Sequence, residues 1–508
     1  MKKKYDVIVV GAGLGGLSAA TLLAKNGLDV LLLEKHNVPG GYATSFVRGR
    51  YEFEAALHEM SGIGDPKKNP GPNFRYLERL GVARRVEFLK VPELFRSIFP
   101  EVDITLPEGQ EAFETRLTDR FPKEADGIRA FLGTCFNLFD ELNEIQKIVS
   151  KGMPGLGFFL GAPVRYPTAM RGLPATLGQM LNRHVKDPAA RGVLSQYWGY
   201  FGLPPSRVSF LFYAAGLATY VRLGATYVKG RSHALANAFV DAFEEWGGEA
   251  RMNCGVKRIV VDNGRVRAVI TDCDEEILAG RVIANVNPVT TCRDLIGVER
   301  VPSQYFDRLR TTTIAPSSFN VYLGVNRPLH EMGVTGHEIF LNSDLDVESH
   351  HAVMSTLEPP KSVVMTYYNS VWPDVSPHGT SMVTLTALMR GEPWYQVEPG
   401  EYEAVKERIA DAMIEEAEKI APGLREYAEV VSVSTPITNM RYTGALGGSI
   451  YGFDQPPWFS TITRLGHHGP LGGLYFAGAW TNPGGGFEPS IFSGRIAAET
   501  LLAAERRQ

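Results

Sequence analysis

The first 34 residues contain the pattern that most restricts what this chain can fold into. Residues 6–10, Asp-Val-Ile-Val-Val, form a β-branched apolar run typical of a parallel strand covered on both faces. The next six residues, Gly11 to Gly16, spell Gly-x-Gly-x-x-Gly, and a helix rich in alanine and leucine is predicted over residues 17–26. A second strand, predicted over residues 29–33, ends at Glu34. This order of strand, glycine turn, helix, strand and acid predicts a βαβ unit that binds a dinucleotide.

Each part of this motif has a physical reason. Gly11 permits the tight turn, Gly13 lets a pyrophosphate approach the backbone, and Gly16 allows the helix and strand to pack closely. The pyrophosphate then lies at a helix N-terminus, which favours anions. Glu34 is placed to accept hydrogen bonds from an adenosine ribose, which argues against a 2′-phosphate there. The alternative is a glycine-rich turn in an ordinary α/β unit.

Two further glycine-rich segments are placed where a backbone can approach the same ligand. Gly40 and Gly41 follow the second strand and precede Tyr42. Near the C-terminus, a strand ends in a loop that contains Gly484 to Gly486 and leads into a final helix. Such a loop points backbone N–H groups at an anion or at the edge of a flavin.

With these segments the sequence resembles the FAD-dependent oxidoreductases that include amine oxidases and carotenoid desaturases. Residues 473–499 resemble the closing signature of bacterial-type phytoene dehydrogenases, from which Trp480 and Phe487 depart. Residues 447–452, Gly-Gly-Ser-Ile-Tyr-Gly, are similar to a Gly-x-Tyr-Gly segment of the retinol saturase and carotenoid isomerase branches, and the histidine at position 58 is also more like these branches. The resemblance runs along the whole chain and implies FAD as the cofactor.

The resemblance also implies which residues contact FAD. They come from the two N-terminal glycine segments, the end of the second strand, the segment around position 58, a later strand and the C-terminal loop. The implied cofactor-binding residues are Gly11, Gly13, Leu14, Gly15, Gly16, Glu34, Lys35, Gly40, Gly41, Tyr42, His58, Val256, Gly478, Ala479, Gly485, Gly486 and Phe487.

His58 and Glu488 are the candidate catalytic residues, because both lie in segments expected near the flavin. A saturase or isomerase must supply or hold a proton, and either side chain can do so. The alternative for His58 is a hydrogen-bonding role beside the cofactor. The alternative for Glu488 is stabilisation of the N-terminus of the helix that it enters.

The expected fold class is α/β, with a Rossmann-like FAD-binding domain of the glutathione-reductase and amine-oxidase type interleaved with an α+β substrate domain. The cofactor elements are scattered along the chain, so the FAD-binding domain is assembled from three pieces. We predict FAD-binding parts at residues 1–85, 222–298 and 435–508, and substrate-domain parts at 86–221 and 299–434.

The first insert is rich in aromatic residues, which suggests a lipophilic small-molecule substrate. Core packing is the alternative reading for each single residue, but together they fit a tunnel for a long apolar molecule. The apolar run at residues 153–164 is too short to span a bilayer and fits a peripheral membrane contact at the tunnel mouth. The aromatic and apolar residues are Phe131, Phe136, Phe139, Phe158, Phe159, Leu160, Trp198, Tyr200, Phe201, Phe210, Phe212 and Tyr213.

The net charge argues against nucleic acid as a partner, and the cysteine content indicates the cellular compartment. The chain has 52 Lys and Arg against 56 Asp and Glu, so its net charge offers no footprint for nucleic acid. Its four cysteines are widely spaced, which favours a reducing compartment. We predict a cytoplasmic protein with peripheral membrane association. No metal site is predicted, because the pairs His350-His351 and His467-His468 lack accompanying ligands and are interpreted as exposed loop histidines.

The favoured function is oxidation or reduction of carbon–carbon bonds in a lipophilic polyene such as a carotenoid or retinoid, by hydride transfer with flavin N5. Since only one dinucleotide unit is present, the electrons are expected to pass to or from a quinone, oxygen or another carrier. Three alternatives stay open: a non-redox polyene cis–trans isomerase that uses reduced FAD, an amine oxidase, and a non-catalytic flavin or lipid carrier. An aromatic cage and a covalent-flavin cysteine motif, which mark amine oxidases, are not evident.

Overall fold

The N-terminal βαβ unit is present in the computed structural model, which describes residues 4–149, 156–460 and 463–506. Strand β1 (Val7–Val10) and strand β2 (Val30–Leu33) are buried along their whole length and pair in parallel. Helix α1 (Leu14–Lys25) begins three residues before the predicted start at Leu17. The reason is that Gly13 takes an extended conformation, with φ −68° and ψ 167°, and acts as the helix N-cap.

The strands form two large sheets and four smaller ones. Their bounds are β1 and β2 as above, β3 Ser45–Arg48, β4 Tyr51–Glu54, β5 Gly64–Asp65, β6 Asn69–Pro70, β7 Phe88–Lys90, β8 Phe95–Phe99, β9 Val102–Leu106, β10 Thr226–Val228, β11 Glu249–Arg251, β12 Val256–Asp262, β13 Arg265–Thr271, β14 Glu276–Leu278, β15 Val282–Ala284, β16 Ser317–Val325, β17 Glu338–Asn342, β18 Ser362–Tyr367, β19 Ser381–Met389, β20 Ala428–Ser434 and β21 Leu474–Phe476.

The helices cover these sheets and fill most of the first insert. Their bounds are α1 as above, α2 Pro72–Leu80, α3 Gln110–Arg120, α4 Ala125–Val149, α5 Leu156–Arg165, α6 Pro167–Gly172, α7 Leu177–His184, α8 Pro188–Leu194, α9 Phe210–Leu223, α10 Arg231–Glu245, α11 Pro288–Thr290, α12 Ser303–Arg310, α13 Val347–Val353, α14 Tyr402–Glu418, α15 Pro436–Thr443 and α16 Phe487–Glu505.

The first large sheet is parallel and has the strand order β11-β2-β1-β15-β21. Helix α1 packs against α10 and α16 on one face, and the antiparallel sheet β12-β13-β14 packs on the other. Coverage of both faces explains why β1 and β2 are apolar at every position. The five strands come from the three separate stretches 1–85, 222–298 and 435–508, and we propose the boundaries of the FAD-binding domain at these positions.

The second large sheet has the order β20-β16-β19-β18-β17-β8-β9 and is antiparallel except for the pair β17 and β8. Helix α14 packs on one face of this sheet through an apolar core of its own. The opposite face carries polar residues such as Asn320 and Thr386 and faces the cavity described below. None of the helices within the described residues is long and apolar enough to cross a membrane.

Candidate cofactor and substrate site

A single continuous cavity of about 2160 Å³ lies between the parallel sheet, the seven-stranded sheet and the helices of the first insert. Pockets for one drug-sized ligand measure roughly 300–1,000 Å³, so this cavity has room for a cofactor and a second molecule. One end is lined by the N-terminal glycine motif and Glu34, and another by aromatic residues of α4, α5 and α9.

The glycines of the first motif allow approaches that no side chain permits. A Cβ atom on Gly13 would lie 2.6 Å from Nδ2 of Asn285, and one on Gly15 would lie 2.7 Å from the backbone N of Gly478. A Cβ atom on Gly16 would lie 2.0 Å from the carbonyl oxygen of Gly11, so Gly16 is required for packing. Because the first N–H groups of a helix have no partner within it, the start of α1 offers donors to an anion in the cavity.

Glu34 lines the same end of the cavity as the glycine motif. Its carboxylate is only 9% exposed, accepts a hydrogen bond from the backbone N–H of Ala12 at 2.7 Å, and accepts another from the N–H of His36 at 2.9 Å. Each carboxylate oxygen still has a free lone pair. Lys35 and Val256 line the cavity beside it. The carboxylate can therefore accept two hydroxyl groups of a ribose, as the sequence predicts.

The second glycine pair lies directly against the first motif. The N–H of Gly40 donates to the carbonyl of Ala12 at 2.8 Å, and a Cβ atom on Gly41 would lie 3.5 Å from the Cα of Gly13. Both glycines have positive φ values, 117° and 63°, which side chains disfavour. The Tyr42 hydroxyl then donates to the carbonyl of Gly448 at 2.8 Å. These contacts join the N-terminal cradle to the segment near residue 450.

The C-terminal loop forms the opposite wall and is held by one buried arginine. A Cβ atom on Gly485 would lie 2.3 Å from the Cα of Tyr451, so the two backbones touch. The guanidinium of Arg464, which is 2% exposed, donates to the carbonyls of Ala479 at 2.6 Å and Thr481 at 3.0 Å. It also donates to the carbonyl of Phe453 at 2.9 Å. Arg464 therefore fixes two neighbouring backbone segments at once, although the sequence analysis did not single it out.

The two candidate catalytic residues both lie on the cavity wall. Glu488 is in the first turn of α16, where its carboxylate accepts a short hydrogen bond from the Ser61 hydroxyl. Burial raises the pKa of Glu488, and the bond from Ser61 only partly opposes this. His58 Nδ1 lies 3.3 Å from a carboxylate oxygen of Glu338, and His58 Nε2 lies 3.3 Å from the Thr386 hydroxyl. The catalytic roles of His58 and Glu488 stay predictions.

The predicted cofactor residues come together from distant parts of the chain. All of them line the cavity except Gly16, which packs behind it. The aromatic residues of the first insert divide into two groups. Phe139, Phe158, Trp198, Tyr200, Phe201 and Phe212 line the cavity, whereas Phe131, Phe136, Phe210 and Tyr213 lie in the core. Residues 153–155 of the apolar run, and the side chain of Phe159, lie outside the described part.

The interpretation of the paired histidines as exposed loop residues is wrong for three of the four: His350 and His351 lie in helix α13, with His351 half-buried, and His467 is buried. His350 is buried in α13, where its Nε2 lies 3.0 Å from a carboxylate oxygen of Asp344. His467 is also buried, and its Nδ1–H donates to the carbonyl of Phe476 at 3.0 Å. Burial lowers the pKa of His467 to about 4, so the ring is neutral at neutral pH. Across residues 4–149, 156–460 and 463–506, no cluster of three or more possible ligands could hold a metal.

Sequence analysis missed a group of polar residues beside His58. The Tyr200 hydroxyl donates to Glu338 at 2.6 Å, and the Tyr197 hydroxyl lies 3.4 Å from a carboxylate oxygen of Glu59. Glu59 and Glu338 are 7% and 1% exposed. The available signal was the position of each acid beside apolar residues, in 55–60, which also contains His58, and in 338–341, where a charge is unexpected.

The residues present fit FAD. A Cβ atom at Gly13 or Gly15 would crowd Asn285 or Gly478, which line the same cavity. The buried carboxylate of Glu34 can accept ribose hydroxyls, and the loop at Gly485 lines the cavity. Such a set of donors, acceptors and close approaches matches a dinucleotide with a planar ring system.

Comparison with known proteins agrees with this fit. The sequence profile of the flavin containing amine oxidoreductase family matches residues 14–502. The chain is 26% identical over 506 residues to the chloroplastic prolycopene isomerase of Daucus carota, covering 99% of this chain and 80% of that protein. It is 24% identical to the all-trans-retinol 13,14-reductase of Danio rerio, with 93% and 82% covered. It is 27% identical to the hydroxyneurosporene desaturase of Rubrivivax gelatinosus, with 99% and 94% covered.

A solved structure with the same fold is cyclohexylamine oxidase from Brevibacterium oxydans. It superposes with a TM-score of 0.64 at 16% sequence identity, covering 99% of this chain and 100% of that one. The predicted fold class, a Rossmann-like domain of the amine-oxidase type with an interleaved second domain, is confirmed.

Proposed function

Because the chain belongs to the flavin containing amine oxidoreductase family and has FAD as its cofactor, we propose that it oxidises or reduces carbon–carbon bonds of a lipophilic polyene such as a carotenoid or retinoid. The observation that carries this proposal is the single cavity that connects the FAD cradle to a wall of aromatic side chains. The names of three near-full-length relatives, a prolycopene isomerase, a retinol reductase and a hydroxyneurosporene desaturase, support the same substrate class.

FAD, when bound, supplies hydride transfer at its ring, and the protein orients the substrate against that ring and excludes water from the site. With FAD bound, the backbone at Gly13, Gly15 and Gly41 would hold its pyrophosphate, and Glu34 would orient its ribose. Phe158, Phe212 and Tyr200 present apolar surface along which a polyene can lie. These side chains exclude water from the reacting carbons. They also position the substrate by apolar contact, because a hydrocarbon makes no hydrogen bonds to the protein.

We further propose that a quinone, oxygen or another small carrier exchanges electrons with the enzyme. Only one Gly-x-Gly-x-x-Gly motif follows a strand in the described chain, and its cradle is committed to FAD. A second dinucleotide domain for NADPH is therefore not available within these residues.

A second candidate function is non-redox cis–trans isomerisation with reduced FAD. The match to the prolycopene isomerase over 99% of this chain favours it. An isomerase needs the same cavity and cofactor. The two candidate functions differ in whether the substrate loses or gains hydrogen overall.

Anaerobic incubation of the FAD-loaded protein with retinol and with carotenoids, once oxidised and once pre-reduced, tests both candidates. Mass spectrometry is expected to detect the loss or gain of two hydrogens with a matching change in the flavin spectrum. An unchanged mass with a shifted polyene spectrum would instead establish the isomerase. Unchanged substrates in both states would refute a polyene function.

We propose that helix α5 rests on a membrane at the mouth of the cavity. Phe158 and Ala162 of this helix line the cavity, whereas Leu160 and Val164 are 73% and 87% exposed. Two large apolar side chains exposed on one short helix can insert into the outer part of a lipid leaflet. A lipophilic substrate could then pass from the bilayer into the cavity without crossing water.

Replacing both Leu160 and Val164 by serine is expected to weaken binding to phospholipid vesicles by at least about tenfold, because each buried apolar side chain contributes about 1.5–3 kcal/mol. Vesicle sedimentation measures this. Val298→Ser is the matched control, since Val298 is 54% exposed but lies outside the cavity lining. Equal sedimentation of the double variant and the control would exclude membrane contact through α5.

A further inference from the structure

Glu59 has an unusual environment for a carboxyl group. It is 7% exposed and lines the cavity, and one oxygen lies 3.4 Å from the Tyr197 hydroxyl. Its other oxygen, Oε2, has no hydrogen-bond partner among the described residues. A buried carboxylate held by one long hydrogen bond would be strongly destabilising. The group is therefore suited to the neutral, protonated form and to a partner that enters the cavity.

The neighbouring carboxyl group of Glu338 favours the protonated form of Glu59. Burial and the negative charge of Glu338 raise the pKa of Glu59 well above its ordinary value. Burial also acts on Glu338, but its contacts with His58 and the Tyr200 hydroxyl outweigh this and lower its pKa. Two carboxyl groups whose pKa values are pushed apart in this way form an acid and a base. Glu59 is the acid of the pair.

Glu59 also lies in a segment that is fixed near the C-terminal loop. Met60 and Thr226 exchange both backbone hydrogen bonds, at 2.8 and 2.9 Å. Ser61 donates to Glu488, which follows Gly486 and Phe487 at the start of α16. Ser61, two positions after Glu59, is thus bonded to the start of α16, which is the part of the wall that the flavin ring is expected to contact.

Apolar and aromatic side chains close this part of the cavity. Tyr200 and Phe340 lie within 6.2 Å of each other, centroid to centroid, and Tyr220 stacks obliquely on Tyr197 at 4.9 Å. The titratable groups around Glu59 are Glu338 on β17, Tyr197 and Tyr200 in the turn 196–201, Tyr220 on α9, the adjacent His58, and Glu488, whose carboxylate binds the Ser61 hydroxyl. Glu338 is held by His58 and the Tyr200 hydroxyl, and Glu488 is held by the Ser61 hydroxyl, whereas Oε2 of Glu59 is buried without a partner in the wall of the cavity.

We propose that Glu59 is the proton donor to the polyene: its carboxyl proton forms a C–H bond with one carbon of a substrate double bond. This inference rests on the proposed function. The π electron pair makes the new C–H bond, and the neighbouring carbon takes a hydride supplied by the reduced cofactor, so the substrate gains two hydrogens. The carboxylate left on Glu59 recovers a proton from water after product release. A resting acid of this kind favours hydrogen addition over desaturation, which requires a base at the same position.

Single-turnover reduction of all-trans-retinol by pre-reduced enzyme in D₂O tests the proposal. Glu59→Gln keeps the size and hydrogen-bonding capacity of the side chain but has no acidic proton. We expect its turnover to fall about 10²- to 10⁴-fold, as is typical for loss of a general acid. Retinol binding should change by less than about threefold, because the polar contact to any bound group is retained. Glu59→Asp should recover part of the rate.

Glu54→Gln is the matched control, because Glu54 is a buried carboxyl group of the same segment that does not line the cavity. Its oxygens are satisfied by Ser232 and Tyr227. This variant should lose stability but still give the product that the wild type gives in D₂O, with one solvent deuterium on the carbon that Glu59 protonates. Normal turnover in Glu59→Gln would overturn the proposal. Weakened retinol binding with unchanged turnover would overturn it too, and would make Glu59 an anchor for the substrate hydroxyl.

Infrared spectroscopy provides a readout that does not depend on activity. The difference spectrum of wild type minus Glu59→Gln should contain the carbonyl stretch of a protonated carboxyl group at neutral pH. A carboxylate band in its place would overturn the proposal even if turnover were lost. Absence of any polyene turnover by the wild type would refute the proposed function itself, and with it this inference.

Discussion

Gly13→Val is expected to yield a folded protein that does not retain FAD. Gly13 has an ordinary φ of −68°, so the backbone tolerates a side chain, and the nearest obstruction is the flexible amide end of Asn285. The new side chain would instead fill the space through which a pyrophosphate reaches the start of α1. Loss of one or two charge-assisted hydrogen bonds at about 1.5–3 kcal/mol each corresponds to roughly 10- to 10⁴-fold weaker binding.

The flavin-to-protein absorbance ratio after gel filtration measures this effect. Gly133→Ala is a suitable control, because Gly133 lies in helix α4 and a Cβ atom there would have nothing within 4 Å. The control should keep its flavin and gain about 0.5–1 kcal/mol of stability, as alanine does in a helix interior. A Gly13→Val protein that purifies with full flavin occupancy would contradict the assignment of the cofactor cradle.

Arg464→Leu is expected to lower the free energy of unfolding by about 3–5 kcal/mol, the typical effect of removing one partner from a buried charged network. The substitution leaves the carbonyls of Tyr451, Phe453, Ala479 and Thr481 without their donor. Burial lowers the pKa of Arg464 to about 9, so the guanidinium is still charged at neutral pH. Because these carbonyls belong to the two segments that meet at Gly485, flavin retention should fall as well.

Urea unfolding followed by tryptophan fluorescence measures the stability, and flavin absorbance measures retention. Arg310→Leu is the control, since Arg310 is 76% exposed and only pairs with Asp307 on its own helix. Exposed pairs of this kind contribute about 0–1 kcal/mol. Similar unfolding midpoints for the two variants would show that the carbonyls at residues 451–481 find other donors.

The cofactor end of the site was predictable because its requirements are local. A strand that ends in Gly11, a backbone approach at Gly13 and an acid at Glu34 are all set within 34 consecutive residues, and the structure adds small corrections such as the earlier start of α1. The buried positions of His350 and His467 could not be read from their neighbours, since burial depends on distant elements.

The sequence by itself therefore determined the dinucleotide motif, because that motif depends on the conformation of one short contiguous segment, and the resemblance along the whole chain indicated the fold class and FAD. Only the tertiary structure decided which acids share the reacting space. His58 and Glu338 are 280 positions apart and come into contact only when the seven-stranded sheet packs against the FAD-binding part. The same packing buries Glu59 beside Glu338 and so raises its pKa. The physical reason is that a carboxyl pKa is set by desolvation and by neighbouring charge, and both arise from packing rather than from residue type.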